Sequence, residues 1–160
     1  MEFKFTEENI QKINSVLVKY PTKKAAVMPV LYIAQEQNGW ISFEVMKEVA
    51  TVLEITEEEV LGVVTFYTMY HQKPMGKYHI QVCTNVSCML RGAYPLYDKV
   101  REKLGINNGG VTADHQFSLE EVECMGSCGT APMIAVNEDF YENLTVEKAE
   151  EILESFKNRN

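Results

Sequence analysis

The apolar periodicity of this chain changes once, at the segment Lys73-Pro74-Met75-Gly76-Lys77. Before it, apolar residues recur at helical spacing. After it, Tyr78-His79-Ile80-Gln81-Val82-Cys83 alternates apolar and polar, as a half-buried strand does. A switch of period from 3.6 to 2 across a Pro/Gly-punctuated segment marks a boundary between two kinds of packing. The fold class expected is α+β: a helical bundle over residues 1–75, then a mixed α/β domain over 76–160. A chain of 160 residues buries roughly 68–70% of its unfolded surface and needs no disulfides to fold.

Within the first half, Thr6 followed by Glu7 and Glu8 has the form of a helix N-cap with acids in the first turn. Ile10, Ile13 and Leu17 then share one face, which predicts a helix over 7–19. Val27, Val30, Leu31 and Ala34 repeat the pattern up to Asn38-Gly39. Pro29 falls inside it, so a kink or a late start is expected. Ser42 caps a third helix carrying Met46, Val49, Ala50 and Leu53. Thr56-Glu57-Glu58-Glu59 has capping-box form and opens a fourth through Val60, Leu61 and Val64.

The second half reads as strand, helix, strand, strand, strand, helix. The strands are Tyr78 to Cys83, Phe117 to Cys124, Met133 to Val136 and Phe140-Tyr141. One helix runs through Ala93, Leu96, Val100 and Leu104 to Gly105, and the other from Thr145 through Ala149, Ile152, Leu153 and Phe156. One parallel crossover, a hairpin-like pair and a closing helix give a four-stranded mixed sheet with helices packed on it. That is a thioredoxin-like plan.

Four cysteines lie in this half as two close pairs, Cys83-Thr-Asn-Val-Ser-Cys88 and Cys124-Met-Gly-Ser-Cys128, separated by 35 residues. A redox dithiol or a zinc knuckle normally reads Cys-x-x-Cys. Pairs enclosing four and three residues suit a larger object, such as two irons bridged by two sulfides. A tetrathiolate zinc site, two disulfides and a thiol catalyst are the rival readings. The strand assignments put Cys83 at the end of the first strand, Cys88 in the following loop, Cys124 at the end of the second strand and Cys128 in the loop before Pro132. Gly126 and Gly129 allow positive φ and expose N–H groups that can hydrogen-bond to sulfur.

Charge and termini restrict the partners. A net charge of −8 argues against binding a phosphate backbone, which draws its affinity from Lys and Arg. The N-terminus, Met1-Glu-Phe-Lys-Phe-Thr-Glu-Glu, lacks signal-peptide or transit character, and no apolar run approaches the roughly 20 residues that span a bilayer. The expected setting is a reducing cytoplasm, or the inner face of the membrane reached through a larger complex. No Gly-x-Gly-x-x-Gly run follows a strand, so dinucleotide binding by this chain is not expected.

The two cysteine motifs, extended as Glu123-Cys124-Met-Gly-Ser-Cys128-Gly-Thr-Ala131-Pro132, stand beside Ala34-Gln35-Glu36-Gln37-Asn38-Gly39-Trp40-Ile41-Ser42 and Gly62-Val-Val-Thr65-Phe66-Tyr67. Together these segments, within a match over about residues 10–155, resemble the thioredoxin-like [2Fe–2S] subunits of NADH:quinone oxidoreductases. The module is also found in NAD-linked hydrogenases and formate dehydrogenases. Met125 stands where Leu is usual. The resemblance implies that Cys83, Cys88, Cys124 and Cys128 ligate one [2Fe–2S] cluster and that the chain is a non-catalytic electron-transfer subunit of an NADH dehydrogenase. It also implies a partner subunit that oxidises NADH and carries FMN. A reading of another class, compatible with electron transfer, makes the chain an interaction module whose helical half, residues 1–75, docks partners.

Residues outside the motifs carry blander expectations. His79 is read as a half-exposed filler on its strand, and His71 and His115 as scattered. Trp40 and Phe66-Tyr67 are read as core or interdomain packing rather than electron relays. Pro132, just before a strand, is a candidate cis proline.

Overall fold

Helices of residues 7–66 are built where capping side chains meet apolar stripes. The computed structural model describes residues 2–158. The chain divides into two compact units, Met1–Pro74 and Met75–Asn160, whose outermost residues 1, 159 and 160 lie outside those described.

In the first unit α1 spans Glu7–Leu17, α2 Val27–Asn38, α3 Phe43–Leu53 and α4 Glu57–Phe66. Thr6 Oγ1 accepts from the N–H of Asn9 at 3.2 Å, and Ser42 Oγ from that of Val45 at 3.3 Å, which satisfies donors that a helix start leaves over. α1 stops two residues short of the expected end. With no glycine to cap it, the last turn tightens into bonds from Lys19 N–H to Val16 O and from Tyr20 N–H to Leu17 O. Pro29 produces a late start: a 3-10 turn over Lys23–Ala26 precedes α2 and places the proline third in the helix, where no intrahelical N–H is required.

Thr56 and Glu59 form a reciprocal capping box, Glu59 N–H to Thr56 Oγ1 at 3.3 Å and Thr56 N–H to Glu59 Oε2 at 2.9 Å. Glu59 also meets Lys24 at 2.6 Å. That ammonium, with the Thr56 N–H, holds its carboxyl below the usual range. Thr56→Ala is expected to cost about 1 kcal/mol in urea unfolding of the chain, with the loss confined to the unit containing α4. Ile13, Val30, Leu31, Val45, Val49, Leu53, Val60 and Val64 form the buried core of this unit. Trp40 is half-buried. Phe66 is not core: it is 77% exposed, because it lies about 200° around α4 from Val64.

The second unit contains a four-stranded sheet, β1 Tyr78–Cys83, β2 Phe117–Val122, β3 Ile134–Val136 and β4 Asp139–Tyr141, in the order β2-β1-β3-β4. β1 and β2 are parallel, and β3 runs antiparallel to both β1 and β4. The parallel crossover carries α5, Val86–Leu90, and α6, Ala93–Leu104; α7, Val146–Lys157, closes the chain. Ile80, Val82, Leu119, Ile134 and Val136 project to one face and pack with Leu96 and Val100 of α6 and Ala149, Leu153 and Phe156 of α7. Alternation sends His79, Gln81 and Cys83 to the other face. The mixed α+β, thioredoxin-like architecture is the one expected.

Three local expectations change. Residues 86–90 form a helix, so Cys88 is helical and not in a loop. β2 ends at Val122, two residues before Cys124. His79 is buried, 5% exposed, and not a half-exposed filler: Nδ1 lies 2.9 Å from Ser118 Oγ, its register partner on β2, and Nε2 3.1 Å from Glu120 Oε2. No described helix is long and apolar enough to cross a membrane.

Candidate functional site

Both cysteine pairs lie where β1 and β2 end, since parallel neighbours release their following segments at the same edge of the sheet. Cys83 is the last residue of β1, paired in register with Val122. The chain then turns through Thr84 and Asn85 into α5, where Asn85 Oδ1 accepts from the N–H of Val86 at 2.8 Å. Three bonds tie this turn to the segment leaving β2. They are Thr84 N–H to Val122 O at 3.2 Å, Thr84 Oγ1 to Glu121 Oε1 at 2.8 Å, and Asn85 Nδ2 to Glu123 Oε2. The second pair therefore starts from a segment already fixed to the first.

Cys124 lies in the irregular segment after β2, and Cys128 opens a 3-10 turn, Cys128–Thr130. Gly126 turns the backbone between them at φ +86° and donates its N–H to Cys124 Sγ at 3.4 Å, as the sequence led us to expect. Gly129 is not among the residues with positive φ; it sits within the 3-10 turn, whose right-handed backbone needs none. The chain leaves through a cis Ala131–Pro132 bond. It is anchored by Asn143 N–H to Thr130 O at 2.7 Å and Leu144 N–H to Pro132 O at 3.1 Å.

The four sulfurs interact with one another. Cys124 Sγ and Cys128 Sγ are 3.4 Å apart, Cys83 and Cys88 share one buried cluster, and Cys128 is close enough to feel Cys83 and to act on Cys88. None is in a disulfide. Cys83 and Cys88 are buried, 3% and 2% exposed, in a small cluster with Ala93, Ala131 and Met133, against which Met125 packs. Cys124 and Cys128 are exposed. The site thus has a dry side and a wet side.

Burial, followed by the neighbouring Cys83 thiol, pushes the Cys88 thiol up to about 11, with the backbone of Met133 acting the other way. The Gly126 N–H draws the Cys124 thiol down, whereas sharing a proton with Cys124 raises that of Cys128. Of the exposed pair, Cys124 ionises first, because a backbone donor already faces its sulfur.

Four thiols, one of them already met by a backbone N–H, have the donor chemistry that an iron–sulfur centre requires. Among the described residues, no three His, Cys, Asp or Glu side chains converge on a single ion-sized point. A binuclear core asks for no such point, because it divides four thiolates two to an iron. The sequence-predicted ligands are therefore brought together as two pairs at one edge. Missed from the sequence were Met133 and Ser87, which the fold brings near enough to Cys88 and Cys128 to shift their thiols. No spacing rule marks a backbone donor; Ser87 was visible only as a polar residue next to a ligand.

The family model described as thioredoxin-like [2Fe–2S] ferredoxin matches residues 13–157. An NADH-quinone oxidoreductase subunit of Rickettsia bellii is 43% identical over 159 residues, covering 98% of this chain and 95% of that protein. The mitochondrial NADH dehydrogenase [ubiquinone] flavoprotein 2 of Dictyostelium discoideum is 42% identical over 159 residues, which is 98% of this chain and 64% of that protein. A solved NAD+-reducing [NiFe]-hydrogenase in its H2-reduced state superposes on 84% of this chain with a TM-score of 0.74 at 19% identity, over 22% of its own chain. That last likeness is one of fold.

Proposed function

The chain belongs to the thioredoxin-like [2Fe–2S] ferredoxin family, and from that premise we propose that it is an electron-transfer subunit of an NADH:quinone oxidoreductase, with Cys83, Cys88, Cys124 and Cys128 as the cluster ligands. The observation that carries this reading is the placement of all four thiols at one sheet edge, in a chain with the family match over residues 13–157. When bound, an all-cysteine binuclear centre supplies reversible one-electron storage at low potential, about −400 mV in plant-type ferredoxins.

The protein's own residues do the rest. Cys83 and Cys88, with Ala93, Ala131 and Met133 around them, keep water from the inner side and so limit loss of iron and sulfide. The N–H of Gly126 faces a sulfur that becomes more negative on reduction and favours the reduced state. Cys124 and Cys128 form the exposed edge, the side by which electrons enter and leave. A flavin that takes a hydride from NADH holds two electrons, and iron–sulfur centres accept them one at a time. The flavin and the nucleotide belong to a partner subunit. The helical unit serves in docking, and contact with a membrane is made through the assembled complex. The chain alone does not oxidise NADH.

Anaerobic purification, with assay of iron, sulfide and zinc and EPR before and after dithionite, tests this. Two irons and two sulfides per chain are expected, silent when oxidised and giving one S = 1/2 signal when reduced. One zinc per chain and no sulfide after attempted reconstitution would make the thiolates structural. Transfer is tested by mixing the loaded chain with a flavoprotein partner and NADH, where appearance of the reduced signal only with both present is the expected result.

A further inference from the structure

Cys124 and Cys128 stand with their sulfurs 3.4 Å apart, and both are exposed. The stretch between them turns back on itself at Gly126, with φ +86°, which is what brings the two side chains face to face. A disulfide requires the sulfurs to close to about 2.05 Å. Rotation about the two Cα–Cβ bonds can take up that closure, because Cys124 lies in no strand or helix, Cys128 only opens a short 3-10 turn, and neither belongs to a core cluster. Cys83 and Cys88 differ on each count. They are 3% and 2% exposed, packed with Ala93, Ala131 and Met133, and seated in β1 and α5. An oxidant dissolved in water reaches the outer pair and not the inner one.

We propose that Cys124 and Cys128 are a redox modification site: in the chain before a cluster is built into it, a low-molecular-weight disulfide oxidises this pair to an intramolecular disulfide, which blocks cluster assembly until it is reduced. The block rests on the four-cysteine reading above; the modification itself does not. In the first step one sulfur of the pair, as its thiolate, attacks a sulfur of the small disulfide. The S–S bond of that molecule breaks, a mixed disulfide forms, and the departing thiolate takes a proton from water. The second cysteine then gives its proton to water and attacks the mixed disulfide at the protein sulfur. The Cys124–Cys128 bond forms and the second small thiol leaves. Two electrons pass from the cysteines to the oxidant, which ends as two thiols. Neither protein sulfur is then a thiolate, so neither can hold iron. Exposed disulfides of this kind are the readily reduced ones, so a dithiol reductant restores both ligands.

The test uses the full chain, stripped of metal and reduced, then exposed to oxidised glutathione without iron. Alkylation, digestion and mass spectrometry are expected to find one disulfide, Cys124 to Cys128, with Cys83 and Cys88 left as thiols. Cys128→Ser, which removes the resolving sulfur, is expected to halt at a mixed disulfide with glutathione on Cys124. Ferrous iron and sulfide, supplied anaerobically without a thiol reductant, should then load the oxidised parent at least roughly tenfold less than the reduced one. That bound follows because loss of a residue that merely supports a ligand already costs about 10–100-fold in metal affinity. Treatment with dithiothreitol should restore loading. A disulfide mapped to Cys83 or Cys88, a parent that stops at stable mixed disulfides, or four thiols surviving the oxidant would overturn the proposal. So would an oxidised chain that loads as fully as the reduced one. A reduced parent that takes up no iron and sulfide would sink the assignment of the four thiols instead, and the disulfide map would still decide the modification site.

Discussion

Cys88→Ala is expected to leave the chain without a stable binuclear centre, with iron and sulfide retained falling by roughly a hundredfold or more. The lower bound follows from what lesser changes do, since removing a residue that only hydrogen-bonds a ligand already costs about 10–100-fold in metal affinity. Cys88 is a ligand candidate on the dry side of the site, 2% exposed, seated on α5 and packed with Ala93, Ala131 and Met133. Water has no ready route to replace it among Ala93, Ala131 and Met133. The helical unit should be untouched, because α1 to α4 are held by their own core. Far-UV circular dichroism should keep its helical signal while the visible absorption and the reduced EPR signal vanish. An alanine variant carrying its full iron and sulfide with the parent's spectrum would sink the proposed ligand set.

Gly76→Ala is expected to destabilise the second unit by roughly 2–3 kcal/mol, the upper range for overpacking. A Cβ built on Gly76 would stand 2.3 Å from the carbonyl carbon of Phe117, 2.6 Å from the N of Ser118 and 2.7 Å from the Phe117 Cα. All three are backbone atoms at the start of β2, so no side chain can swing away. Relief must come from moving the entry of β1 or β2. Those strands are locked to each other by the Tyr78 to Phe117 register, by Lys77 N–H to His115 O at 3.0 Å and by Tyr78 N–H to Gln116 O at 2.8 Å. Thermal or urea unfolding of the second unit reads the loss. Gly62, by contrast, has open space at its Cβ position. Gly62→Ala should match or slightly exceed the parent in stability, which makes it the control. A Gly76→Ala protein as stable as the parent would mean that β2 can shift at little cost.

Much of the fold was legible because it depends on neighbours in sequence. Thr6, Ser42 and Thr56 bond to N–H groups three residues on, and the face of each helix follows from a fixed 100° per residue. The strand over Tyr78 to Cys83 was visible in its alternation for the same reason. Errors fell on segments too short to show a period. Val86–Leu90 is barely more than one turn of helix, and the last two residues assigned to β2, Glu123 and Cys124, have no partner on β1 because that strand ends at Cys83. His79 was misjudged because its burial depends on Ser118 and Glu120, about 40 positions away.

The four thiols were named from spacing and from the family resemblance, and the fold brings them to one place. Their chemical differences could not be read in advance. Cys83 and Cys88 lie in an apolar cluster while Cys124 and Cys128 stay exposed, although all four are the same residue type in similar motifs. Spacing and residue type marked out the four candidate ligands, because a proposed ligand set is a matter of covalent order and residue chemistry. Which sulfur is dry and which meets an N–H was decided only when β1 and β2 paired in parallel, because solvent exclusion and hydrogen-bond geometry depend on atoms that the chain brings together from about 40 residues apart.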